Sequence, residues 1–173
     1  FHNASATGRE IERFGSPRVI GRNWRENFEQ TRPYIGRTLS TWQAALLEAS
    51  ISAFIVPNQR VFRERIAAGR IRDCHGDLRA WAVCFTGDIC VYDCIEFNRR
   101  FRYSDVASEV AFLAMDLDRR GHSDLADRFV ARYQQEFGDD RIGHVLNFYK
   151  CYRAYVRGKV NSFQLDVALG ERA

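Results

Sequence analysis

The chain has 173 residues, 46% hydrophobic and 28% charged, with three prolines. That length lets a single domain bury a real core without disulfide or metal staples, and the absence of any run of about 18 apolar residues argues against a membrane-spanning helix. Residues 1–72 carry twelve basic and six acidic groups and residues 73–173 carry fourteen and sixteen, but the early arginines are dispersed at helical spacing. They therefore read as a solvated helix face, and neither a nucleic-acid nor a membrane partner is expected.

In chain order, residues 1–70 read as helices. Ser16-Pro17 offers an N-cap with proline at the first helical position, and Ile20, Trp24 and Phe28 form one apolar stripe, so this helix should end near Pro33. Ser40 or Thr41 caps the next, whose Leu46, Leu47, Ile51, Phe54 and Ile55 follow the helical period until Pro57. A shorter helix carries Val61, Phe62 and Ile66 towards Gly69. The pattern then changes: residues 83–86 and 89–93 are β-prone runs separated by Gly87-Asp88, a small hairpin within a segment spanning 71–98. Helical periodicity returns over 105–160, with Val106, Val110, Leu113 and Leu117 closing at Gly121, a helix from Ser123 to Gly138, and a last helix from about Ile142 to Val160. The expected fold is thus mainly α with one hairpin, a single helical lobe over residues 1–173.

Five cysteines, at 74, 84, 90, 94 and 151, predict free thiols in a reducing compartment, hence a cytoplasmic location. The opening at Phe1, inside helix-compatible sequence, reads as a piece of a longer chain.

Chemistry concentrates where the hairpin interrupts the helices. Asp77, in Asp73-Cys-His-Gly-Asp-Leu78, precedes Asp93 by sixteen residues, in Val91-Tyr-Asp-Cys-Ile-Glu-Phe-Asn98. Carboxylates flanking a tight hairpin can face each other across a small gap, one accepting a proton while the other holds a divalent cation. Phosphoryl transfer needs that pairing, because its catalysis is mainly positioning and charge stabilisation. Taken singly, an aspartate before a turn more often satisfies backbone N–H groups, and His75 alone reads as a structural histidine. A zinc site from Cys74, His75, Cys84, Cys90 and Cys94 is the competing use of these side chains, although their spacing lacks a Cys-x-x-Cys pair.

His75-Gly76-Asp77-Leu78 followed by a hairpin ending in Asp93 resembles the catalytic and metal-binding segments of the aminoglycoside phosphotransferases and their choline-kinase and protein-kinase relatives. Arg102, Asp105-Val-Ala-Ser108, Ala111-Phe-Leu-Ala-Met-Asp-Leu117 and Tyr152-Arg-Ala-Tyr-Val-Arg157 extend the likeness to one bacterial branch, often fused to a nucleotide-binding kinase domain. The resemblance implies a protein-kinase-like C-terminal lobe that transfers the γ-phosphoryl group of ATP to a small hydroxylated substrate. Asp77 would be the catalytic base, Asp93 would bind Mg2+, His75 would brace the loop, Glu96 would contact metal or acceptor, and Asp105 would secure the loop by hydrogen bonding.

Two departures accompany it. The kinase loop carries a second metal ligand five residues after its aspartate, where this chain has Ala82. The β-rich N-terminal lobe, with its glycine-rich cover and strand lysine, has no counterpart: both lysines, Lys150 and Lys159, fall on the last predicted helix. The isolated chain is therefore expected to be inactive, its ATP site completed by a missing N-terminal lobe or fused kinase domain. The alternative is a non-catalytic kinase-like module with a binding or regulatory role.

Overall fold

Capping chemistry sets most of the helix boundaries. In the computed structural model, which describes residues 1–170, α1 (Arg9–Glu12) leads to α2 (Pro17–Thr31), where Ser16 Oγ accepts the Val19 N–H and proline takes the first helical position. Helix α3 (Thr41–Ile55) opens on a complete capping box, with the Gln43 N–H donating to Ser40 Oγ at 3.2 Å and the Ser40 N–H to Gln43 Oε1 at 3.0 Å. Ser40→Ala is expected to destabilise the protein by about 1 kcal/mol. That loss would appear as a lower urea midpoint at unchanged slope.

Helix α4 (Gln59–Ala67) ends before Gly69, whose φ of +63° turns the chain into β1 (Ile71–Asp73). Strands β2 (Val83–Thr86) and β3 (Asp88–Val91) form the expected hairpin around Gly87, at φ +94°, with Cys84 opposite Cys90. Then follow α5 (Arg99–Arg102), β4 (Tyr103–Asp105), α6 (Val106–Arg119), α7 (Ser123–Phe137) and α8 (Gly143–Gly170). Gly138, in the left-handed region, closes α7.

Helix accounts for 68% of the fold, but the described residues form two small sheets rather than one. The unexpected sheet pairs β1 with β4 antiparallel, Ile71 opposite Asp105. Three-residue strands are too short to display an alternating pattern, so their pairing depends on tertiary structure. It has a functional consequence: the two strands draw together the ends of the 74–102 segment, where the Cys74 N–H donates to the Arg102 carbonyl at 3.1 Å. The last helix also extends beyond the expected end near Val160.

Small residues on α6 allow α8 to approach closely. Ala107, Val110, Ala111 and Ala114 are buried against Val145, Phe148 and Tyr149, while Trp24 of α2 and Phe62 of α4 close the same core. Each large buried apolar side chain contributes about 1.5–3 kcal/mol relative to exposure. The α3 stripe is only partly used: Ile51 is buried, whereas Leu46 is exposed. Among the described residues no helix is long and apolar enough to cross a membrane, and all five cysteines are unpaired.

Candidate functional site

Charged side chains from two core helices hold the loop that follows β1. Glu109, fully buried on α6, accepts the His75 N–H at Oε2 (2.9 Å) and the Gly76 N–H at Oε1 (2.6 Å), while His2 Nε2 lies 2.8 Å from the same Oε2. Arg153 of α8 donates from Nη1 to the Gly76 carbonyl at 3.0 Å and from Nε to the Ser108 carbonyl and hydroxyl. Buried backbone groups outside a ladder need such partners. Gly76 itself sits at φ +89°, and a Cβ there would lie 3.1 Å from the Ile95 side chain and the Phe101 carbonyl, so glycine is required twice over.

The Asp77 N–H donates to His75 Nδ1 at 3.3 Å, which assigns the imidazole proton to Nε2, 2.8 Å from the Tyr92 carbonyl. His75 thereby ties its loop to the residue before Asp93. A second tie is the Ile95 N–H, which donates to the His75 carbonyl at 2.9 Å.

Burial on its own would raise the Glu109 carboxyl, but His2 and the two loop N–H groups outweigh it and hold the group below its ordinary value of 4.5. A depressed folded-state pKa contributes stability that is complete above the unfolded value and disappears as pH falls through the folded one. Acid titration is therefore expected to cost stability below about pH 4.5. Glu109→Gln should flatten that part of the curve, as read by urea denaturation at a series of pH values.

Asp77 is half-buried, and both of its oxygens are engaged by Arg79, at 3.0 and 2.7 Å. The Arg79 guanidinium in turn lies 5.0 Å over the Trp81 ring. Asp93 and Glu96 are exposed, and Asp93, at φ +62°, is the one non-glycine residue with positive φ among the described residues. Such backbone strain recurs at functional positions. All three carboxylates line one open cleft of about 830 Å³, walled by residues 91–97. Their oxygens do not gather within 4.8 Å of one another.

Hard carboxylate oxygens suit magnesium, which keeps several waters and uses one or two protein carboxylates, so the donor set of Asp93 and Glu96 fits that ion. Ala82 adds no side-chain ligand; it is fully buried, and its carbonyl accepts the Tyr92 N–H at 3.0 Å. His75, Cys84, Cys90 and Cys94 form no three-ligand group among the described residues. His2, Cys74 and Glu109 do lie within 4.8 Å of one another, but as a hydrogen-bonded core: the Cys74 thiol donates towards the Ser104 carbonyl, and burial pushes that thiol well up.

Asp105 does not secure the loop directly. It accepts the Ala107 N–H at 2.9 Å, capping α6, and receives two hydrogen bonds from Arg65, at 2.6 and 2.8 Å. Arg65 makes two more to Asp139, at 3.0 and 2.7 Å, and all three side chains are buried. The loop is secured instead by Glu109 and Arg153, which sequence reasoning passed over. Glu109 stands three residues after Val106, on the apolar face of its helix, and a charge at such a position signals a buried partner.

A second cavity, of about 380 Å³, opens between α2, α6 and α8, with walls that include Trp24, Phe112, Phe148 and Tyr152. Asp77 and Ile95 line both this cavity and the carboxylate cleft.

The chain is similar to proteins of Mycobacterium bovis and of two strains of Mycobacterium tuberculosis that are described as uncharacterized. Each is 33% identical over 174 residues, covering 100% of this chain and 35% of the mycobacterial protein. The chain therefore spans about a third of those relatives' length. No protein-family model matches it, and no solved structure matches it.

Proposed function

We propose that this chain is the helical lobe of a phosphotransferase that moves the γ-phosphoryl group of ATP to a hydroxyl of a small molecule, as the aminoglycoside-phosphotransferase-like kinases do. One observation carries the reading: Asp77 stands where a carboxylate-lined cleft meets a second cavity that has aromatic side chains in its walls. A base for phosphoryl transfer has to occupy such a junction, within reach of the acceptor on one side and the phosphates on the other.

In this reading the acceptor's oxygen forms the new bond to the γ-phosphorus, the bond from that phosphorus to the β-phosphate oxygen breaks, and the acceptor's proton passes to the Asp77 carboxylate. Arg79 must first release Asp77. Asp93 and Glu96 would hold magnesium, which offsets charge on the phosphates. His75 and Glu109 fix the loop so that Asp77 needs no rearrangement of its backbone. The nucleotide's other face would be held by residues of a longer polypeptide.

A second reading, a non-catalytic kinase-like module, is favoured by Ala82 and by the occupied Asp77 oxygens. Full-length protein, incubated with Mg2+ and γ-labelled ATP against a panel of hydroxylated small molecules, separates the two. Label on an acceptor supports transfer; ATP bound without transfer to any panel member, or not bound at all, favours the module.

A further inference from the structure

The walls of the cavity between α2, α6 and α8 carry a charge pattern that favours an anionic occupant. Arg100, Arg153, Arg157 and Lys159 line it on the positive side, against Asp77 and Asp105 on the negative. Both aspartates are neutralised by two-point bonds from arginines outside the lining, Arg79 and Arg65. Arg100 pairs with Glu26. Arg153, Arg157 and Lys159 have no carboxylate within 4.0 Å among the described residues; Lys159 Nζ is held by neutral oxygens, Asn27 Oδ1 at 2.6 Å and Gln30 Oε1 at 2.8 Å. The cavity thus keeps a positive surplus next to a low-dielectric aromatic wall, where charge is felt strongly.

Among the described residues, the buried side-chain polar atoms without a hydrogen-bond partner are Trp24 Nε1, Asn27 Nδ2 and Ser104 Oγ, and all three residues border this cavity. Two of these atoms are pure donors, on side chains almost wholly buried. Leaving such a donor unpaired costs about 1–3 kcal/mol, but each of these atoms is sealed off, so a guest reaches it only after the surrounding side chains shift. A polycationic guest would meet like charge from Arg153, Arg157 and Lys159; an anionic guest relieves it.

Resting on the phosphotransfer reading for the fate of the hydroxyl, we infer that the cavity takes a small aromatic hydroxy acid, its carboxylate at the Lys159–Asn27 end and its hydroxyl towards Asp77. The ring lies against Phe101, Tyr152 and Phe163, lining aromatics that keep accessible faces. Burial lowers both the Lys159 ammonium and the Arg157 guanidinium from their ordinary values, the cost that an anionic guest offsets.

Calorimetric titration of the full-length protein without nucleotide or metal tests this with two phenols that differ in their charged end: desaminotyrosine, ending in a carboxylate, and tyramine, ending in an ammonium. Desaminotyrosine is expected to bind at least about tenfold more tightly, and Lys159→Met to remove about tenfold of that affinity. Lys159→Gln, which keeps a polar end without charge, serves as the second variant; unchanged urea midpoints show that both remain folded. Equal or tighter binding of tyramine, binding of neither compound, or indifference to both Lys159 variants overturns the inference. Desaminotyrosine that binds but is never phosphorylated by Mg-ATP leaves the cavity inference standing and counts against the phosphotransfer reading. Transfer to cationic acceptors with no desaminotyrosine binding does the reverse.

Discussion

Arg65→Met is expected to destabilise the protein by about 3–5 kcal/mol, the cost typical of removing one partner from a buried ion pair. Arg65, Asp105 and Asp139 are each nearly inaccessible, and the arginine makes two hydrogen bonds to each carboxylate. Burial by itself would lower the guanidinium's pKa, yet the two carboxylates outweigh it and hold the group above its ordinary range. Methionine fills much of the same volume but leaves Asp105 buried without a cation and Asp139 with only Arg70, at 3.9 Å. The measurement is urea unfolding, in which the midpoint should fall with little change in slope. Arg65→Met combined with Asp139→Asn should recover part of the loss, because one of the two buried carboxylates that lost Arg65 is then gone. A single variant within about 1 kcal/mol of the parent would show that water reaches these carboxylates and that the trio is not a structural hub. The stake is more than stability: Asp105 begins α6, which carries Glu109, and ends β4, which closes the 74–102 segment.

How much of this was legible beforehand depends on the range of each signal. The capping residues Ser16 and Ser40 and the terminator Gly138 act on neighbouring residues, so the starts of α2 and α3 and the end of α7 follow from local sequence. The hairpin at Gly87 is likewise local. The β1–β4 pair joins residues about thirty positions apart through three-residue strands, and nothing in either strand announces its partner. The same division runs through the site. Asp77, Asp93 and Glu96 stand in a recognisable order, and the structure places them along one cleft. The groups that hold the loop, Glu109 and Arg153, come from helices remote in sequence, and their roles emerge only when α6 and α8 pack together. Asp105 shows the converse: expected to secure the loop, it caps α6 through the Ala107 N–H, and its principal partner, Arg65, lies 40 residues away.

The largest expected effect on activity belongs to the aspartates. If Asp77 accepts the acceptor's proton, Asp77→Asn should slow transfer by about 10²–10⁴-fold. Its effect on stability should be small, because Asp77 is half-buried and asparagine still offers Arg79 one acceptor oxygen. Asp93→Gly makes the complementary test. Glycine adopts φ +62° without strain, so this variant should keep the parent's stability within about 1 kcal/mol while losing the carboxylate. Unfolding midpoints close to the parent's, together with lost transfer in both variants and a raised magnesium requirement in any residual activity of Asp93→Gly, are the combined outcome expected. The two substitutions act on different steps, proton acceptance and charge neutralisation, so a pH–rate profile altered only by the change at 77 distinguishes a base from a merely positional aspartate. Retention of full transfer by Asp77→Asn would remove the reason for placing a base at the junction of the two cavities. The cleft and the aromatic-walled cavity would then have to be explained as independent features of a binding module.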